Sequence, residues 1–169
     1  MKKDKFIILV ILIIAIGTIA LLTTGMLRKN TGQVQKKLTG FTATANINYK
    51  GTSFQTKVEY TSQDLVKMEI ITPENLKGVT MAWNGKDINI EYMGLSVNVG
   101  DSAVLGKAIM SSIVSAINEG TKAKGETKGD AIIVKGKVSS GEYTLTVDKS
   151  TGIPISLVIP SAGLSCDFV

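Results

Sequence analysis

The sequence predicts an α+β domain: a large curved antiparallel sheet of about ten strands, a half-barrel, with one covering helix and a preceding N-terminal transmembrane helix. Three observations support this fold class. An uncharged apolar run spans residues 6–22, apolar and polar residues alternate from Phe41 onward, and apolar residues take a helical spacing between Asp101 and Gly120. Because strongly twisted sheets of this width curl, we expect the helix to cover the inner face of a curved sheet.

The N-terminal segment is predicted to anchor the chain in the cell membrane. Residues 6–22 (FIILVILIIAIGTIALL) carry no charge, and together with residues 23–27 the run reaches the roughly 20 residues that cross a bilayer. Lys2, Lys3 and Lys5 favour a cytoplasmic N-terminus, since basic residues stay inside and a long trailing domain is translocated. No stretch after the run matches a small-x-small cleavage site well, and residues 23–25 come nearest to one. We therefore expect a retained single-pass anchor with an extracytoplasmic C-terminal domain.

The chain is thereby divided into four parts. At 169 residues it has room for one domain beside the anchor, since domains usually run to roughly 100–150 residues. Residues 1–5 are predicted to be a cytoplasmic basic flank, residues 6–27 a transmembrane anchor or uncleaved signal, residues 28–40 a linker or short helix, and residues 41–169 the antiparallel β domain.

Alternation of period two defines the strands that precede the helix. From Phe41 to Tyr49 every second residue is apolar or small, so this set is predicted to face the core. PENLKG at residues 73–78 interrupts the pattern, and Asn84-Gly85 predicts a hairpin. The strands predicted in this part are 41–49, 54–60, 66–70, 79–83, 88–92 and 95–99.

A single amphipathic helix is predicted between Asp101, a favourable N-cap, and Gly120, a typical C′ residue. Its apolar residues recur at three and four positions, which is the spacing of one helix face, and Lys107 lies on the opposite face. The residues predicted to face the sheet are Val104, Leu105, Ala108, Ile109, Ile113, Ala116 and Ile117.

The part after the helix is predicted to form a solvated loop and four strands. The loop is Thr121–Gly129, and the strands are 132–138, 143–147, 153–159 and 164–168. The sequence stops directly after the last strand, so we expect this strand to be an open sheet edge. Its candidate interface residues, for a partner chain or a homodimer, are Leu164, Cys166 and Phe168.

The residue types present argue against an enzyme. The sequence contains no histidine, which removes the commonest general base and most zinc sites. Glu69, Glu91 and Glu142 lie in the outward phase of their strands, as solvated carboxylates do. The single Cys166 excludes an intrachain disulfide and is predicted to be a small buried hydrophobe. With no phosphate loop and a net charge of only +5, we expect no catalytic residues, cofactor, metal or nucleic acid.

The space beneath the predicted helix is a candidate binding site. Residues on the inner face are more often plain core than a ligand site. This face, however, combines large side chains with alanines, so we expect a cavity where the helix does not fill the space. The candidate lining residues are Phe41, Met81, Trp83, Leu105 and Ile109.

Three stretches carry a resemblance to a known family: QKKLTGFTATANINYKG, LVKMEIITPENLKGVTMAWNGKDINIEY and YTLTVDKSTGIPISLVI. The order of meander, proline break, hairpin, helix and four strands resembles the LolA-like lipoprotein-carrier superfamily, and within it the clostridial germination lipoproteins of the GerS type. The resemblance implies a LolA-like half-barrel without catalytic activity. Family lipoproteins carry a lipidated cysteine where this sequence has Met26, so here the anchor is expected to be the helix itself.

Two functions are compatible with this resemblance. The first is a GerS-like, membrane-anchored partner or regulator of a cell-wall amidase, acting on the spore cortex in sporulation or germination. The second is a LolA-like protein that binds a lipid or the acyl chain of a lipoprotein in an apolar cavity under the helix. The volume and lining of that cavity distinguish the two, because a filled interior excludes an acyl chain.

We expect the full-length protein to fractionate with membranes, because the uncharged run at residues 6–22 has no efficient cleavage site after it. Cell fractionation followed by intact-mass measurement tests this expectation. Recovery of a soluble species that begins near Met26 would identify the segment as a cleaved signal.

Overall fold

The computed structural model describes residues 31–33, 40–62, 65–99 and 105–169, with the backbone alone for residues 31–33 and 105. The predicted anchor and the helix N-cap therefore lie outside the described residues, and Thr31–Val169 forms one compact unit. Its strands are β1 (Thr31–Gln33), β2 (Phe41–Tyr49), β3 (Thr52–Ser62), β4 (Leu65–Thr72), β5 (Thr80–Trp83), β6 (Ile88–Tyr92), β7 (Leu95–Val99), β8 (Lys124–Lys128), β9 (Ala131–Val138), β10 (Gly141–Asp148), β11 (Pro154–Ile159) and β12 (Leu164–Phe168). Its α-helix is α1 (Leu105–Lys122), and short 3-10 turns occupy Glu74–Leu76 and Pro160–Ala162.

The twelve strands of the described ranges form a single open sheet in the order β1-β8-β9-β10-β11-β12-β2-β3-β4-β5-β6-β7. Every neighbouring pair is antiparallel. The α+β class with a large antiparallel sheet and one covering helix is confirmed. The helix packs on β9, β10 and β11, and the face that carries it is called the inner face below.

The alternation in β2 places its apolar residues on the inner face, as predicted. Ala45 and Ile47 are buried there, whereas the intervening Asn46 is exposed. Phe41 stacks on Tyr60 of β3 with ring centroids 5.4 Å apart. Period-two patterning therefore identifies the buried face correctly, because successive side chains of a strand point to opposite faces.

The prediction that the last strand is a sheet edge is wrong. β12 lies between β11 and β2, with Leu157 opposite Cys166 and Cys166 opposite Ile47. Leu164 and Cys166 are buried, and Phe168 packs against the core. A strand at the end of a sequence is not necessarily at the end of a sheet, and the backbone groups of β12 are used on both sides.

The region predicted as a solvated loop, Thr121–Gly129, instead contains the end of α1 and strand β8. β8 pairs with β9 on one side and with β1 on the other. β1 lies within residues 28–40, which were predicted to be a linker or short helix. Gly125 is buried against β9, where an added Cβ would lie 2.5 Å from a methyl group of Ile132. Pairing with the adjacent β9 on one side and with the distant β1 on the other thus makes a lysine-rich segment a strand.

The helix continues to Lys122, two residues beyond the predicted C′ residue Gly120. A Cβ at Gly120 would lie 2.5 Å from Cδ2 of Leu145 in β10. Gly120 therefore allows the helix to pack closely on the sheet, and it does not end the helix. No helix among the described residues has the length and apolarity needed to cross a membrane.

The buried face of α1 differs in part from the predicted one. Ile109, Ile113, Ala116 and Ile117 are buried as expected, whereas Ala108 is exposed. Met110 and Val114, which lie outside the predicted face, are also buried. The buried face of the helix is therefore broader than the predicted stripe.

We expect Ile109→Asp to lower the free energy of unfolding by about 3 kcal/mol or more, because it places an unpaired carboxylate between helix and sheet. The matched control is Ala108→Asp, one residue away but exposed, which should change stability by less than about 0.5 kcal/mol. Thermal and urea denaturation measure both variants. Equal losses would show that the buried face of α1 is assigned incorrectly.

Candidate ligand-binding cavity

An apolar cavity of about 270 Å³ lies between the first turns of α1 and the inner face of the sheet. Its walls come from β2 to β6, from the Glu74–Leu76 turn and from the helix. The lining residues are Ile47, Phe54, Thr56, Met68, Ile70, Leu76, Val79, Met81, Ile90, Gly106 and Ile109.

Strand register brings these residues together on one face. Met81 of β5 is opposite Met68 of β4 on one side and Ile90 of β6 on the other. Gly106 lies above this row, and a Cβ at that position would lie 2.6 Å from the sulfur of Met81. The absence of a side chain at Gly106 allows the start of the helix to approach the sheet this closely.

Among the described residues that line the cavity, Thr56 is the one with a polar side chain. It is 2% exposed, and its hydroxyl Oγ1 has no hydrogen-bond partner in the described part of the chain. An unsatisfied buried hydroxyl costs about 1–3 kcal/mol. The register places Thr56 between Ala45 and Ile70, neither of which has a polar side chain to offer. The site therefore contains one unused hydrogen-bonding group in an apolar surround.

The structure brings only part of the predicted lining to this cavity. Met81 and Ile109 line it, whereas Phe41 and Trp83 do not. Phe41 instead stacks on Tyr60, and Trp83 lies beyond Met81 along β5. For Leu105 only the backbone is described.

Sequence reasoning missed most of the lining, including Thr56. A signal was available, because Thr56 stands between Phe54 and Val58 in the inward phase of its strand. A polar residue at an inward position is either hydrogen-bonded in the core or directed at a ligand. The pairing of β3 with β4 and the position of α1 decide which, and neither is visible in the local sequence.

One polar contact fixes the helix over the sheet. The hydroxyl of Tyr60 donates a hydrogen bond to Oδ1 of Asn118, with 2.7 Å between the oxygens. Tyr60 is also held by its stacking on Phe41. The helix that covers the cavity is therefore attached to β3 by a partly buried hydrogen bond as well as by apolar packing.

Cys166 is not placed for nucleophilic chemistry. Burial, together with the negative charge of the adjacent Asp167, raises the pKa of its thiol to about 12. The thiolate, which is the reactive form, is thus negligible at neutral pH. Elsewhere among the described residues, no group of three or more His, Cys, Asp or Glu side chains could hold a metal ion.

A second apolar feature lies at the β7 end of the sheet, away from the helix. Met93 at the turn between β6 and β7 is 84% exposed, Leu95 is 74% exposed and Val97 is 60% exposed. Tyr92 adds a further partly exposed ring. The apolar inner face therefore extends past the part of the sheet that the helix covers.

No protein-family model and no curated protein matches the chain. Several solved structures are similar. An uncharacterized conserved protein from Thermus thermophilus aligns over 80% of both chains with 14% identity and a TM-score of 0.50, a likeness that concerns the fold alone.

Two further structures align less closely. A LolA superfamily protein from Nitrosomonas europaea has 12% identity and a TM-score of 0.33 over 70% of this chain and 62% of its own. The structure of the CwlD amidase from Clostridioides difficile in complex with the GerS lipoprotein gives 13% identity and a TM-score of 0.43 over 85% of this chain and 84% of the matched one. TM-scores at this level support no functional inference.

We expect Thr56→Val to raise the free energy of unfolding by about 1 kcal/mol, because the substitution removes a buried hydroxyl without a partner and keeps the branched shape. Thr56→Ser is the control, because it keeps the hydroxyl and removes only the methyl group. This variant should lower the free energy of unfolding by about 1 kcal/mol. Urea denaturation of the unliganded protein measures both. A loss of stability in Thr56→Val would indicate that the hydroxyl is already hydrogen-bonded.

Proposed function

We propose that this chain is a membrane-anchored, non-enzymatic binding module of the cell envelope that takes an apolar chain into the cavity between α1 and the sheet. The observation that supports this function is the buried, unpartnered hydroxyl of Thr56 in an otherwise apolar cavity. A valine of the same shape would avoid the cost of the unsatisfied group, whereas the hydroxyl of Thr56 is available to a ligand in the cavity.

The dimensions of the cavity limit the ligand. At about 270 Å³ it is at the lower end of small-molecule sites, which span roughly 300–1,000 Å³. It therefore accommodates part of one acyl chain and not a complete two-chain lipid. Each methylene group transferred from water to such a surface contributes about 0.8 kcal/mol, so a short buried segment already gives measurable affinity.

The chemistry of the lining defines the ligand class. Aliphatic side chains and two methionines surround the space, and methionine adapts its shape to flexible apolar chains. Thr56 can donate to a single acceptor, as an ester or amide carbonyl of an acyl group provides. A lipid or the acyl chain of a lipoprotein satisfies both requirements, in agreement with the resemblance to the LolA-like carriers.

A protein partner is the second candidate ligand. The observation that favours it is the uncovered apolar hairpin of β6 and β7, with Met93 and Leu95 largely exposed. Exposed apolar groups of this kind mark interaction sites on otherwise polar surfaces. The partner suggested by the GerS resemblance is another envelope protein, a cell-wall amidase of sporulation or germination. The proposed anchor at residues 6–27 would raise the effective concentration of the module beside such a membrane-proximal enzyme.

The acyl-chain proposal is tested with the full-length protein in lipid nanodiscs and a diazirine-labelled fatty acid. Photolysis followed by peptide mass spectrometry should label peptides that contain Thr56, Met68 or Val79, because these residues line the cavity. Unlabelled fatty acid should compete with the label.

Two tryptophan variants make this test specific. Val79→Trp fills the cavity and should reduce labelling at least fivefold, whereas Val158→Trp adds the same side chain at an exposed position of β11 and should leave labelling unchanged. Labelling confined to other surfaces, or equal in both variants, would contradict an acyl-chain site and leave the protein partner as the preferred ligand.

A further inference from the structure

Strand β7 is an edge of the sheet, with β6 on one side and no strand on the other among the described residues. Its residues are Leu95, Ser96, Val97, Asn98 and Val99, so it carries no charge and no proline. Edge strands usually contain lysine, proline or a bulge, which prevent pairing with another chain. β7 lacks these features and is also largely exposed.

The hairpin turn determines which backbone groups of β7 are free. Met93 and Gly94 have φ values of 49° and 80°, as in a two-residue type I′ turn, and Tyr92 faces Leu95 across it. The residues closing such a turn form a hydrogen-bonded pair, and hydrogen-bonded and non-bonded pairs then alternate along the hairpin. The N–H and C=O groups of Ser96 and Asn98 are consequently directed away from β6.

The polarity of β7 is symmetric about its central residue. Leu95 and Val99 are both apolar, Ser96 and Asn98 are both small and polar, and Val97 is the centre. When two such strands pair antiparallel about this central residue, each apolar residue lies opposite an apolar residue and each polar residue lies opposite a polar one. Pairing with a second copy therefore creates no like-charge contact and no contact between apolar and polar side chains.

We propose that β7 pairs antiparallel with β7 of a second copy of this chain about a two-fold axis at Val97. Ser96 then lies opposite Asn98 of the second copy, and the two such pairs form four backbone hydrogen bonds. Val97 faces Val97 of the second copy in the intervening non-bonded pair, where Cα atoms lie about 4.5 Å apart. The inner faces of the two sheets become continuous, and this assembly does not depend on which ligand the cavity takes.

The side chains next to β7 favour a second copy of this chain, and not a membrane surface, as the partner of this edge. On the outer face, Ser96 donates to Asn89 over 2.9 Å, and Asn89 donates to the carboxylate of Glu91 over 2.8 Å. This polar row ends in a negative charge next to the exposed hairpin, which disfavours anionic lipid headgroups. In the described part of the chain, no strand pairs with the backbone edge of Ser96 and Asn98.

Cysteine cross-linking of the full-length protein in membranes tests the proposed register. Val97→Cys should give a disulfide-linked dimer in high yield under mild oxidation, because the two Cα atoms at the axis are within the range of about 4.4–6.8 Å that a disulfide requires. Ser96→Cys is the matched control, since its Cα would lie about 8 Å from that of Ser96 in the second copy. The native Cys166 is buried with a raised pKa and should remain unreacted.

A second measurement does not depend on cysteine chemistry. Val97→Lys places two like charges at the axis and should convert a dimeric mass to a monomeric one in light scattering of the detergent-solubilised full-length protein. Val158→Lys, at an exposed position of β11, should remain dimeric. A monomeric mass for the unmodified protein, or equal cross-linking of Val97→Cys and Ser96→Cys, would overturn the proposal.

Discussion

The structure depends on one constraint: a single helix has to cover the apolar inner face of a sheet of twelve strands. The 18 residues of α1 extend about 27 Å at roughly 1.5 Å per residue. Twelve strands about 4.8 Å apart extend over about 50 Å. The helix packs on β9 to β11, and within the described ranges no other α-helix covers the inner face toward β7. The cavity beside Gly106 and the exposed apolar hairpin are both consequences of this mismatch in size.

Much of the fold was predictable because alternation and helical spacing are local properties. The ten predicted strands occur, and Ile109 lies on the buried side of the helix. β8 was not predictable from KGETK, because that segment becomes a strand only between β9 and β1. Gly120 was predicted to end the helix for a similar reason. Its actual role is to allow close contact with Leu145, a residue distant in sequence.

The candidate site was less predictable than the fold. Alternation shows that Phe41, Met81 and Trp83 face inward, but it does not show which of them lie under the helix. That depends on strand order, and strand order places Met81 next to the cavity and Phe41 beside Tyr60. The sheet edge was misassigned to β12 on the same basis, because position along the chain does not determine position in the sheet.

The central position of β12 has a consequence for how the domain forms. β12 is the strand that joins β2–β7 to β8–β11 and β1, and the backbones of Val169 and Thr44 exchange hydrogen bonds of 2.7 and 3.1 Å. The two halves of the sheet cannot be united until the residues of β12 have been synthesised. During synthesis from the N-terminus, the polypeptide therefore remains an incomplete sheet until β12 has emerged, and contacts this distant in sequence favour slow folding.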